Sequence, residues 1–233
     1  MTAAKALATL QGLGDPVRAA TSARYFQAGE GGYGAGDLFL GVRVPELRRL
    51  ARQWRGMDLA EVGRLLGSNY HEARLLALLI LVERYRRATP AEREAVVELY
   101  LQNRDRINNW DLVDTSAPHI LGAYFFSKSD RGLLDRLAAS PSLWERRMAV
   151  LATFYFIRQG EFGETLRLAT RLIDDPEDLI HKAVGWMLRE VGKRDQKVLL
   201  DFLEINAARI PRTMLRYAIE KLAPAQKVKF RNF

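Results

Sequence analysis

Apolar residues return every three or four positions along most of this chain, and runs that alternate apolar with polar are nearly absent. That spacing lines one face of a helix, whereas a strand would need a period of two. The reading is therefore all-α. Helix starts are marked by a capping residue beside a proline at Thr89-Pro90, Ser140-Pro141 and Asp174-Asp175-Pro176. There a side-chain oxygen takes up an unpaired amide of the first turn, and proline has no amide to leave unpaired. Gly67, Gly160 and Gly192 stand where helices should stop.

The helices also repeat. Aligning YHEARLLAL (70 to 78), INNWDLVD (107 to 114), LWERRMAVL (143 to 151), IHKAVGWML (180 to 188) and PRTMLRYAI (211 to 219) puts Glu72, Asn109, Glu145, His181 and Arg212 in register. The successive steps are 37, 36, 36 and 31 residues. Shorter amphipathic stretches such as REAVVELYLQ and KVLLDFLEI lie between them, so each unit is a helix pair. A period of this length predicts an α-solenoid of HEAT-like or armadillo-like repeats with one concave face, and a single domain over residues 1–233. In this register Trp110 shares its offset with Arg146 and Lys182, and Asp114, one turn further on, shares its own with Trp186 and Tyr217. The expectation is one strip of cations, aromatics and a single acid facing solvent. The stretch QAGEGGYGAGDLFLG, residues 27–41, resists helix assignment; it lacks the GxxxxGK[ST] pattern and no strand precedes it. It is expected to be a flexible connection between the N-terminal helices and the repeats.

Composition narrows the chemistry. The 36 Lys and Arg against 28 Asp and Glu give a formal net charge of +8. Clustered cations gain affinity for polyanions by releasing condensed counterions, so nucleic acid leads the list of partners. With no cysteine, disulfides, thiolate zinc sites and a cysteine nucleophile are excluded. His71, His119 and His181 fall in different repeats without paired-ligand spacing, so no metal and no cofactor is expected. The N-terminus does not read as a signal peptide and LLALLILV (75 to 82) is too short to span a bilayer, which gives a cytoplasmic protein without a membrane partner.

What remains is chemistry run by carboxylates and cations, and NNWDLVD (108 to 114) concentrates it. Asp111, in the first turn of a helix starting near Asn109, suits the helix dipole and reads as structural. Asp114 lies deeper in the helix, where an acid is costly unless it faces solvent or a cation. Trp110 and Trp186 have the alternative of being core anchors, and Arg146 and Arg147 that of a solvated face beside Glu145. A groove with flat aromatics among Arg and Lys would nevertheless complement a nucleic-acid backbone and its sugars.

These residues, with ARYF (23 to 26), FLGVRVPELRRL (39 to 50) and IHKAVGWMLREVGK (180 to 193), resemble the bacterial AlkD-type alkylpurine DNA glycosylases over nearly the whole chain. That family is built from HEAT-like repeats with a concave DNA-binding groove. The resemblance implies excision of cationic alkylated purines, 3-methyladenine and 7-methylguanine, from duplex DNA without base flipping. It implies that Asp114 is catalytic, that Trp110 and Trp186 contact the sugar, and that Arg147 contacts the backbone. The repeat register instead favours Arg146 with Lys182, one position away, and the motif match is the more specific of the two. Tyr25 and Arg43 fall near the family's N-terminal DNA contacts; at Arg43 the best-known members carry Gln. The expected state is a monomer on double-stranded DNA containing alkylated bases. Two other functions fit a helical repeat: a non-catalytic relative that binds DNA structures, and a scaffold for protein or RNA.

Overall fold

The structure is a computed structural model and describes residues 1–231. Its contacts divide the chain into two compact units, Met1–Ile120 and the remainder from Leu121. The first unit holds α1 (Ala3–Gly12), α2 (Pro16–Tyr25), α3 (Val44–Gln53), α4 (Leu59–Leu66), α5 (His71–Tyr85), α6 (Pro90–Gln102) and α7 (Trp110–Ser116). The second holds α8 (Ala123–Phe126), α9 (Gly132–Ala138), α10 (Leu143–Arg158), α11 (Gly163–Arg171), α12 (Asp178–Gly192), α13 (Gln196–Asn206), α14 (Arg212–Ala218) and α15 (Pro224–Arg231). Among the described residues there is no strand, only an isolated parallel bridge between Leu38 and Tyr70. The fold is all-α and built from helical repeats.

In both units the register residues sit at the start of the inner helices: Glu72 in α5, Asn109 capping α7, Glu145 in α10, His181 in α12 and Arg212 opening α14. In the first unit α5 is the central post, packed against α3, α4 and α7. Its residues from His71 to Val82 are all buried, because neighbours surround it and no polar face is needed. In the second unit α12 plays this part between α10 and α14, with α11 and α13 behind. Close approach of α14 depends on Gly185, where a Cβ would lie 2.4 Å from the Met214 carbonyl oxygen.

Helix ends follow the punctuation unevenly. Thr89 caps α6 in a capping box with Glu92. The next two starts fall later than the prolines predict: α10 begins after Ser142 and α12 after Glu177, neither with a side-chain cap. The reason is that Ser140 and Asp175 bond the amides of Ser142 and Glu177 two residues on, forming tight turns ahead of the helix. Gly160, at φ +81°, closes α10 with two backbone bonds, Gly160 N–H to Ile157 and Glu161 N–H to Phe156, the Schellman arrangement.

The glycine-rich segment between α2 and α3 does not match the expected flexible connection. The Glu72 carboxylate accepts the backbone amides of Leu40 and Gly41 at 2.9 and 2.7 Å. Gly34 allows the chain to pass where a Cβ would meet the Phe26 carbonyl oxygen at 2.3 Å. Gly41 takes φ +77°, with the Asp15 carbonyl oxygen 2.2 Å from where a Cβ would be. Gly34 and Gly41 serve close packing here rather than slack, while Gly29, Gly31 and Gly36 border open space.

Candidate active site

Helix α7 is seven residues long, too short to be stable alone, so its neighbours fix it. Leu112, Val113 and Ser116 are buried. The Ser116 hydroxyl donates to the Leu112 carbonyl at 2.6 Å and pairs with the buried Tyr100 hydroxyl at 3.0 Å. Tyr100 is held neutral, its pKa pushed up by burial and by the charge of Asp114, against the opposing bond from Ser116. With that side inward, Trp110, Asp111, Asp114 and Thr115 are left half-buried.

Asp111 and Asp114 then have different surroundings. One Asp111 oxygen accepts the Leu112 amide at 2.9 Å and the other meets His71 Nε2 at 2.8 Å. The opposite ring nitrogen of His71 faces Asp37 at 3.1 Å, and Asp37 also pairs with Arg74 at 2.6 Å. His71 and Arg74 are each only 2% exposed. Burial alone would lower the His71 pKa, but hydrogen bonds to Asp111 and Asp37 overcome it and raise the pKa to about 9, so the ring is an imidazolium donating at both nitrogens. Burial pushes Asp37 the other way, yet the His71 bond and the Arg74 charge leave its pKa below the ordinary value. This four-charge cluster ties α7 to α5 and to the glycine-rich segment.

The same segment builds the wall around Trp110. Phe26 stacks on Phe39 at 5.5 Å and on His71 at 4.8 Å between ring centroids, and lies 5.3 Å from Trp110. Tyr25, 65% exposed, meets Trp110 edge-on at 6.0 Å. The Trp110 Nε1–H donates to the Tyr33 hydroxyl at 3.3 Å. The structure therefore brings Tyr25 and Trp110 together.

Asp114 opens onto a different feature, a pocket of about 320 Å³ enclosed by α3, α5, α7 and the turn after α7. Arg48 and Arg52 of α3 and Arg86, the residue that caps the end of α5, line it together with Thr115 and His119. Arg43 stands exposed at the N-cap of α3 and does not line this pocket. Sequence reasoning missed Arg48, Arg52 and the His71 cluster. The first pair was signalled by two arginines four apart in ELRRLAR; a histidine alone in its repeat gave no comparable sign.

In the second unit, Trp186 is half-buried on α12, tilted against Phe154 at 5.8 Å, with its Nε1–H on Glu190 at 3.1 Å. Arg147 is buried, 5% exposed, and donates to the Leu179 carbonyl at 2.5 Å. Arg146 is engaged with Asp175 at 2.6 Å and with the carbonyls of Ser140 and Pro141. Lys182 pairs with Asp178 at 2.8 Å and keeps over a third of its side chain exposed. Among the described residues no group of three or more His, Asp or Glu is placed to hold a metal ion, and no helix is long and apolar enough to cross a membrane.

The architecture is that of an all-α repeat protein, and family comparison narrows it further. Residues 6–222 match the model of the DNA alkylation repair enzyme family. The chain belongs to that family. Among solved structures it is similar to one described as a predicted DNA alkylation repair enzyme from Enterococcus faecalis, with a TM-score of 0.68 and 17% identity. That match covers 91% of this chain and 97% of the other, and it speaks for the fold. No curated protein matches significantly.

Proposed function

We propose that the protein is a DNA glycosylase that removes cationic alkylated purines, such as 3-methyladenine and 7-methylguanine, from duplex DNA by hydrolysing the N-glycosidic bond. The observation that carries this is on α7: Trp110 stands in an aromatic wall, and four residues on Asp114 opens onto a cation-lined pocket. Family membership supports DNA alkylation repair as the role.

An alkylated purine that already bears positive charge needs no general acid. As the C1′–N9 bond breaks, its electron pair passes to the purine, which leaves neutral, and positive charge develops on the deoxyribose. Asp114 is assigned the stabilisation of that charge. It also orients the attacking water and takes up the proton released as the new C1′–O bond forms. Trp110 is assigned a sugar contact of cation-π character, and the resemblance assigns Trp186, in the second unit, a contact of the same kind. Backbone contacts are assigned to Arg147, Arg146, Lys182, Tyr25 and Arg43. Of these, Tyr25 and Arg43 are already exposed, whereas Arg146 and Arg147 would have to leave internal acceptors. The enzyme is taken to act as a monomer, with no cofactor and with the base left unflipped.

Replacing Asp114→Asn tests the assignment. Release of 7-methylguanine from methylated duplex should fall about 100-fold to 1000-fold, the usual loss for one electrostatic contact to a transition state, while duplex binding changes little. Equal release by variant and parent would rule it out.

A further inference from the structure

We infer that the pocket at Asp114 is a subsite for one backbone phosphate of the strand under repair, gripped by Arg48 and Arg52. This rests on the DNA reading above and names what that part of the site holds.

Arg48 and Arg52 are four residues apart on α3, so both guanidiniums project from one side of the helix, and both line the pocket. Among the described residues neither makes an ion pair, while Arg49 between them is paired with Glu46 at 3.0 Å. The pocket's other acid besides Asp114 is Glu83, and it is engaged by Arg86 at 3.2 Å and Arg87 at 2.8 Å. With Glu83 engaged by α5 and the turn after it, Asp114 is the acid that faces the two α3 cations at the rim of an open cavity. Guanidinium forks match phosphate oxygens in pairs, which a point charge does not.

The lining argues for backbone rather than base. Seven of its ten residues are polar or charged, and no Phe, Tyr or Trp is among them. A base would be held by stacking on such rings, and pockets for neutral organic ligands are mostly apolar. At about 320 Å³ the space lies at the small end of the range for ligand pockets, about 300–1,000 Å³. A phosphate seated on the arginines would bring its deoxyribose toward Asp114, which shares the cavity.

The test couples a chemical change in the DNA to one in the protein. A single neutral methylphosphonate linkage is walked along each strand of an otherwise unmodified duplex, and binding is measured for the parent and for the variant carrying Arg48→Ala and Arg52→Ala. At one linkage the parent should lose about as much affinity as the double variant loses on unmodified DNA, and the variant should be blind to that linkage. The variant's slope of log K against log salt should be shallower by about 0.9, one phosphate's worth. Arg49→Ala, off the pocket, should keep the parent's sensitivity. Losses that add at every linkage, or an unchanged salt slope, would overturn the inference. Failure of the parent to bind duplex even at low salt would overturn the DNA reading and the subsite together. Normal coupling alongside full base release by Asp114→Asn would remove the catalytic assignment and leave the subsite standing.

Discussion

His71 is the residue on which the first unit's site hangs. Its imidazolium joins Asp37 on the glycine-rich segment to Asp111 on α7, so loss of its proton would leave two carboxylates near a neutral ring. The folded pKa, about 9, stands above the ordinary 6.5. Folding therefore binds the proton more tightly, and the stability gained is fully present below about pH 6.5 and is lost as pH rises through 9. Denaturant titrations at pH 6, 8 and 10 should show this decline in the parent. His71→Leu should flatten it and cost about 3–5 kcal/mol at pH 6, the usual result of removing one partner of a buried charged pair. A parallel decline in the variant would show that the dependence arises elsewhere. Asp111, read from its place in the first turn as a residue that suits the helix dipole, proves to be held chiefly by this histidine. No local pattern discloses a partner 40 residues away.

At the scale of the element, the helices were readable because their signal is local. An apolar stripe, a Thr-Pro start and a glycine stop report on neighbours in the chain, and α6 and α10 show all three devices between them. Starts went astray where a serine or aspartate formed a turn instead of a cap. That difference predicts contrasting variants. Thr89→Ala should lower stability by about 1 kcal/mol through loss of the capping box, while Ser142→Ala, where no side-chain cap exists, should change it by less than about 0.5 kcal/mol. Thermal melts of both proteins decide the matter, and equal losses would contradict it. Glycine was harder to interpret. A run of glycines in sequence has the composition of a flexible linker, and only the tertiary positions of Asp15, Phe26 and Asn109 reveal that Gly41 and Gly34 are there for want of space. Gly41→Ala, strained at positive φ and crowded by backbone, should cost more than about 1 kcal/mol, measurable in the same melts.

For the whole molecule, the all-α repeat was legible from a period of about 36 residues, since each pair can bury its apolar face only against the next. The acid and indole of α7 were legible too, as a motif. The arginine pair was not, because the register compared inner helices with one another and α3 lies outside the aligned set. Charge predicts behaviour at this scale: a chain of net charge +8 that neutralises six or more phosphates should lose about 10³-fold or more in duplex affinity between 50 and 200 mM salt. A flat response in a binding titration would mean that the excess cations do not face DNA. One further consequence concerns time rather than affinity. The amides of Leu40 and Gly41 belong to no helix, yet both are claimed by the Glu72 carboxylate on the central post of the first unit. Their protons should exchange with solvent deuterium as slowly as those of α5, marking an island of protection within a loop, and the glycine-rich segment should release them only when that post itself opens.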